Sequence, residues 1–445
     1  MSSTAIVWAG LGSLLLVMSV SRPVWALALY LQTFFAAPHL WWWGDEIPRL
    51  RYAFWAGYVL LGAVILAPRA VVGPKALEGR MRTFAVLILL NATFVHFMLA
   101  PNQRISLDTF VELLKYTLLM FLFSSAIKDK TDFQRAIAAM ALGAAYIGWE
   151  VTINERGDFS GSRLEGVGAP AAETANSLAN LMLIVLPLAG SLFLQKSWKW
   201  KLVCLFAAPL ILNVLLLCNS RGAFLGLIGT GIAFALFARG TNRKKALKTL
   251  GLAAVALYLL LGDARILDRF MTTFTGSEAR DNSASSRLVF WNAGWALLKD
   301  HPFGAGGGAF KFALGQQYLA QETGDQDADS RSLHNGFLTE ATDWGFQGLF
   351  LKLALFLVAI RAAYRTTERC RREHRTEEAL LGLCVVTTAV GHLIHCLFGS
   401  FLDHEWTYWI LALLARYADL YEVSEHQAKV EPSEVERLPQ PVAAA

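Results

Sequence analysis

The sequence predicts an all-α integral membrane protein, a bundle of about twelve transmembrane helices with one large extracytoplasmic loop carrying amphipathic helices. Three observations predict it. The 445 residues are 55% hydrophobic and only 17% charged, with a positive mean hydropathy, which sets the chain apart from soluble domains. Apolar runs of roughly 17–25 residues recur from end to end, each long enough to cross a hydrocarbon core of ~30 Å as a helix. Lysine and arginine crowd into alternate connections, the pattern that orients membrane helices.

The elements follow in order. Apolar runs at 4–20 and 23–43 open the chain. The first lacks a basic front and a small-residue cleavage site, so it is expected to be a membrane segment and not a signal peptide. The second ends in "APHLWWWGDE", whose tryptophans are expected at a headgroup boundary. From Met81 onward, runs lie at 83–100, 109–126, 133–152, 176–194, 199–218, 222–238, 246–262, 338–361, 378–398 and 404–418. The predicted organisation is therefore N-terminal helices over 1–262, a hydrophilic loop over 263–337, C-terminal helices over 338–420, and a polar, disordered cytoplasmic tail over 421–445. The side of residue 1 is left open.

Sidedness comes from the basic residues. Arg69, Lys75, Arg80 and Arg82 mark one connection, and Lys128, Lys130 and Arg135 another. Lys196, Lys199 and Lys201, then Arg239 to Lys248, then Arg365 to Arg375 continue the set. The positive-inside rule makes these cytoplasmic. Segments 101–108, 153–175, 219–222, 263–337 and 400–405 then face outward. His96, Glu112, Lys115, Glu150, Glu340, Asp343, His392 and His395 fall in the outer halves of their helices. Charge inside a bilayer is costly unless it faces a cavity or a partner, so these eight are expected to line a polar cavity open to the outside. The five cysteines show no CxxC spacing, so neither a zinc site nor a disulfide framework is expected. No metal or cofactor is expected.

Four outward stretches hold the residues able to do chemistry. In "CNSRG", Arg221 is pinned beside Ser220 and Gly222 in a polar break between two spans. It reads either as an interfacial anchor or as a bidentate phosphate ligand. In "SSRLVFWNAGWALLKD", Ser286 is the expected N-cap of an amphipathic helix. That puts Arg287 in the first turn, where a bound anion explains it better than the helix dipole does. The glycines at 304 and 306–308 and His301 read as turn residues, since a P-loop's lysine and Ser/Thr are missing. "SLHNGF" places His334 and Asn335 at the outer surface. A lone histidine is commonly a spacer, but two same-side arginines best explained by an anion favour a general base. Arg163 is a third anion-ligand candidate.

"SRGAFLG" at 220–226, "SRLVFWNAGWALLKDHPFGAGGGAF" at 286–310 and "HNGFL" at 334–338 resemble hallmark segments of the O-antigen ligase and Wzy-type polymerase superfamily, in the same order. "SRPVWALALYLQTFFAAPHLWWWGDEIPRLRY" at 21–52 resembles ligases associated with exosortase systems. The resemblance implies a GT-C-like glycosyltransferase of the bacterial inner membrane with a periplasmic active site. It would move a glycan from undecaprenyl pyrophosphate to a sugar hydroxyl of lipid A-core, with no cofactor. Carried over by position, Arg221 and Arg287 would bind pyrophosphate, His334 would be the base, and Asn335 would orient the acceptor. Arg163, Ser220, Lys115 and His96 complete the expected substrate-binding set. A Wzy-like polymerase, a protein O-oligosaccharyltransferase and, in a different class, a polysaccharide or lipid transporter remain alternatives. Against the transporter stands the lack of an inverted repeat and of paired broken helices.

Overall fold

A computed structural model describes residues 1–67, 76–160, 163–239, 278–325 and 331–422, with short pieces at 243–244, 247–248 and 251. In chain order the helices are α1 (Ser3–Ser19), α2 (Pro23–Phe35), α3 (Tyr52–Leu66), α4 (Ala76–Phe94), α5 (Gln103–Ala126) and α6 (Lys130–Thr152). A two-stranded hairpin, β1 (Asp158–Ser160) and β2 (Arg163–Glu165), pairs antiparallel with Asp158 opposite Glu165. Then come α7 (Ala175–Phe193), α8 (Trp198–Leu217), α9 (Arg221–Phe237), α10 (Glu278–Asp300), α11 (Gly315–Thr323), α12 (Gly336–Arg372), α13 (Thr376–Cys396) and α14 (Glu405–Glu422). Among the described residues, five segments are long and apolar enough to cross a membrane: Gly79–Leu99, α7, α8, α12 and α13; α1, α3 and α9 are shorter apolar helices. The span expected at 246–262, apart from residues 247, 248 and 251, and all but the start of the tail lie outside the described residues, and α3 is a helix that the sequence reading did not single out.

Side chains sort as an apolar solvent requires. On α9, Leu225, Ile228, Ile232 and Leu236 are exposed on one face, while Gly222, Ala223, Gly226, Thr230 and Ala233 are buried on the other. The buried face is small because α13 lies almost backbone to backbone with it. A methyl added at Gly391 would stand 1.9 Å from Thr230 Oγ1, and one at Gly226 would stand 2.9 Å from the Gly391 carbonyl. Close approach of small residues is how membrane helices gain packing energy where no hydrophobic drive separates helix from lipid.

Ion pairs and polar contacts join connections at each end of the bundle. Arg22 pairs with Asp129 at 2.8 Å and with Asp132 at 2.9 Å, Lys196 pairs with Glu377 at 3.2 Å, and Lys130 pairs with Glu378. Apart from Arg22, these residues lie in or beside connections assigned to the basic side. At the other end Ser332 bonds Ser400 at 2.9 Å and Ser220 bonds Asn176 at 2.9 Å, joining connections assigned to the opposite side.

Three expectations are corrected. Trp41 and Trp43 are buried, the latter donating to the Tyr146 hydroxyl at 2.7 Å; only Trp42 is exposed. A tertiary partner a hundred residues away outweighs the interfacial preference. Ser286 is no N-cap, since α10 begins at Glu278. The run at 338–361 is not one straight helix: α12 breaks at Gly345, with φ 80° and ψ 171°.

That break is filled by the glycine loop. Ala305 N–H donates to the Thr342 carbonyl at 2.9 Å, Gly306 N–H to the Asp343 carbonyl at 3.0 Å, and Phe346 N–H to the Pro302 carbonyl at 3.1 Å. Ala309 N–H reaches Asp343 Oδ1 at 3.1 Å. The loop's amides are thus used on the helix and not turned toward a ligand, which agrees with reading these glycines as structural. Across the break, Lys352 Nζ bonds Glu340 Oε2 at 2.8 Å, both residues fully buried. Above the break, α10 and α11 share their own core of Leu297, Leu298, Phe310, Tyr318, Leu319, Leu333 and Leu338.

Candidate functional site

Each functional side chain is held by a local device that the sequence encodes. Arg221 opens α9, whose N-cap is Ser220; the Ser220 hydroxyl accepts from Ala223 N–H at 3.4 Å. The residue before it, Asn219, sits at φ 46°, a left-handed turn that ends α8 and starts α9 without a linker. Asn335 caps α12, its Oδ1 accepting from Phe337 N–H and Leu338 N–H, both at 3.1 Å. His334, just before the cap, is also left-handed, at φ 51°. Such backbone costs about 1–3 kcal/mol for a non-glycine residue and recurs at functional sites. The Trp291 indole donates to the Leu333 carbonyl at 2.9 Å, tying α10, and so Arg287, to the same turn.

These devices converge. Asn176, at the start of α7, accepts at one oxygen from Arg163 Nη2 at 2.6 Å and from Ser220 Oγ at 2.9 Å. A single amide therefore fixes the β2 arginine against the cap that presents Arg221. Arg287 is near enough to Arg163 and Arg221 that burial, and then their two charges, lower its pKa. His334 is pushed down to about 4, by burial first and then by Arg287, Arg163 and Arg331. Arg163, Arg287 and Arg331, from β2, α10 and the turn before α12, thus act on one imidazole, and Arg221 at the start of α9 acts on Arg287. Mutual repulsion of like charges makes an empty cluster unfavourable, and a multivalent anion removes the penalty. Arg163 Nε is buried and has no hydrogen-bond partner among the described residues, a donor left waiting for an acceptor.

Beside the cluster, Trp291, Trp295, Leu298, Asn335, Phe337, Leu338, Ala341, Phe346 and Leu349 line an apolar cavity of about 160 Å³. It lies between α10 and the first half of α12, next to the turn that carries His334.

Other expected site residues fall elsewhere. His96 stacks on Phe110 with ring centroids 5.0 Å apart and bonds Ser106 Oγ at 2.9 Å; that oxygen also accepts from Gly307 N–H at 3.0 Å. His96 therefore braces the glycine loop, and no described interaction joins it to the arginines. Lys115 is exposed on α5, where its charge acts on Glu112 beside Asp403 and His404. Asn335 serves as a helix cap, so its side-chain oxygen is committed to the backbone. The open cavity lined by eight ionisable residues is not found: His96, Glu150, Glu340, Asp343, His392 and His395 are buried and bonded inside the fold. Glu150 accepts from Trp42 at 3.1 Å, and His392 meets Thr407 at 3.0 Å. Among the described residues no group of three or more His, Cys, Asp or Glu is arranged to hold a metal ion.

Arg221, Arg287 and His334 lie together within one stretch of chain. Residues 206–353 match the family model Wzy_C, O-antigen ligase. The match supports the O-antigen ligase and Wzy superfamily, and all three residues, with Ser220 and Asn335, fall within the matched O-antigen ligase segment. Arg163 and Asn176 lie outside it and are brought to it by the fold. A comparison with curated proteins finds no match.

Asn176 was missed in the sequence because a lone asparagine at a helix start looks like any polar helix entry. Only its two bonds across 13 and 44 residues reveal its place.

Proposed function

We propose that the chain is an O-antigen ligase that moves a glycan from undecaprenyl pyrophosphate to a sugar hydroxyl of lipid A-core at the periplasmic face of the inner membrane. The observation that carries this reading is the cluster in which Arg163 and Arg221 act on Arg287, and Arg287 and Arg163 act on His334. The acceptor oxygen attacks the anomeric carbon, the bond from that carbon to the pyrophosphate oxygen breaks, and the electron pair leaves with the lipid diphosphate. The guanidinium groups stabilise the charge growing on the leaving oxygen. The acceptor proton passes to His334, which is neutral at pH 7 and free to take it. A single displacement of this kind inverts the anomeric centre, as in inverting glycosidases. The apolar cavity between α10 and α12 suits the first isoprene units of the donor. A GT-C-like bundle of about twelve spans completes the reading.

Reconstitution tests it. Purified protein in liposomes with lipid-linked glycan and lipid A-core is expected to form the joined glycolipid without ATP and in the presence of a chelator. His334→Ala is expected to abolish transfer while donor binding survives. Glycan delivered unjoined across sealed vesicles would favour a transporter, and a lengthened lipid-linked glycan in place of joined lipid A-core would favour a polymerase.

A further inference from the structure

His395 is buried on α13, and its surroundings fix its protonation without appeal to titration. The Trp406 indole can only donate, and it donates to Asn180 Oδ1 at 2.6 Å. The other end of that amide is therefore the NH2 group, which faces His395 Nδ1 at 2.8 Å. Nδ1 must accept, so the ring is neutral and its proton stands on Nε2. Among the described residues nothing accepts from Nε2.

The Nε2 edge points at the start of α9. A methyl added at Gly222 would lie 2.8 Å from His395 Cδ2 and 3.1 Å from Nε2, so glycine next to Arg221 is what leaves room for the ring. His395 also lies within reach of the Arg287 charge. The opening amides of a helix, the arginine that begins it and a buried, oriented N–H thus face one region.

We propose that His395 is a further ligand of the diphosphate site, a neutral imidazole whose Nε2–H hydrogen-bonds a diphosphate oxygen at the first turn of α9. This rests on the arginine cluster binding an anion. A neutral donor suits that place, because it adds a hydrogen bond to the bound anion without another positive charge to repel the arginines when the site is empty. Asn180 and Trp406 are positioning residues for it, locking the tautomer from behind.

Two variants divide donation from packing. Asparagine at 395 keeps an amide where Nδ1 stands, against Asn180, and has nothing at the Nε2 position; glutamine carries an amide nitrogen out to it. Inorganic pyrophosphate is titrated calorimetrically into the full-length protein in detergent. His395→Asn is expected to weaken binding about tenfold, as for loss of a hydrogen bond to a charged group, and His395→Gln to stay within about threefold of the parent. Wild-type affinity in His395→Asn, with Arg221→Ala abolishing binding, would overturn the role of His395 alone. Equal loss in both variants would mean packing and also overturn it. A folded parent that does not bind pyrophosphate would overturn the arginine reading and this inference with it. If either variant fails to fold, 15N-histidine NMR of the parent decides. The Nε2–H resonance is expected to move downfield on adding pyrophosphate, and an unmoved resonance or an Nδ1–H tautomer would refute the assignment.

Discussion

At the scale of single residues, the environment of His334 sets a pH dependence. Burial and three arginines hold its pKa near 4, below the ordinary ~6.5, so the free protein keeps the imidazole unprotonated throughout the neutral range. Since kcat/KM reports groups of the free enzyme, it is expected to stay flat from about pH 8 to pH 5 and to fall only below that. A bound diphosphate offsets the arginine field and stabilises the imidazolium, so the acid limb of kcat is expected at higher pH than that of kcat/KM. Coincident limbs in steady-state profiles would deny that the anion and the base share one field. Arg221 stood out in the sequence because it sits in a short polar break between two apolar runs, and His334 because it closes the long hydrophilic interval directly before one. Asn176, Asn180 and His395 were not, because their meaning lies entirely in partners that are 13 to 226 residues away.

At the scale of elements, α12 is the part that the sequence described least well. Its hydropathy reads as one continuous span, and nothing in "TDWGFQG" marks Gly345 as left-handed rather than helical. Hydropathy registers apolarity, not backbone dihedrals. The Lys352–Glu340 pair was hidden for a related reason. Twelve residues apart, they would stand ~18 Å apart along a straight helix, and only the break lets them meet at 2.8 Å. Removing one member of a buried ion pair leaves the other charge stranded, which costs about 3–5 kcal/mol. Lys352→Met is therefore expected to lower the melting temperature sharply. Adding Glu340→Gln to it should recover much of the loss, as read by thermal unfolding in detergent. Equal melting of the single and double variants would mean that the pair contributes nothing. By contrast α9, with its cap at Ser220 and its stripe of lipid-sized side chains, was read almost to its ends from sequence.

At the scale of the whole molecule, charges expected on one side of the membrane pair with one another at one end of the bundle. Sidedness gives an outcome that does not depend on catalysis. Single cysteines introduced at 221, 287 and 334 are expected to react with an impermeant maleimide from the same side in intact cells. Background is low, since all five native cysteines are buried. Labelling of any one position only after cytoplasmic access would break the cluster apart. The stitching of residues 302–309 into the gap in α12 bears on biogenesis. A membrane segment with open amides and carbonyls has no solvent to turn to inside hydrocarbon, so it can settle only against a surface that already offers matching groups. Translation delivers that surface first, because the loop emerges from the ribosome some forty residues before its target. Moving the loop to the far end of the gene would reverse that order and leave the newly inserted segment exposed to lipid with its polar groups unmet.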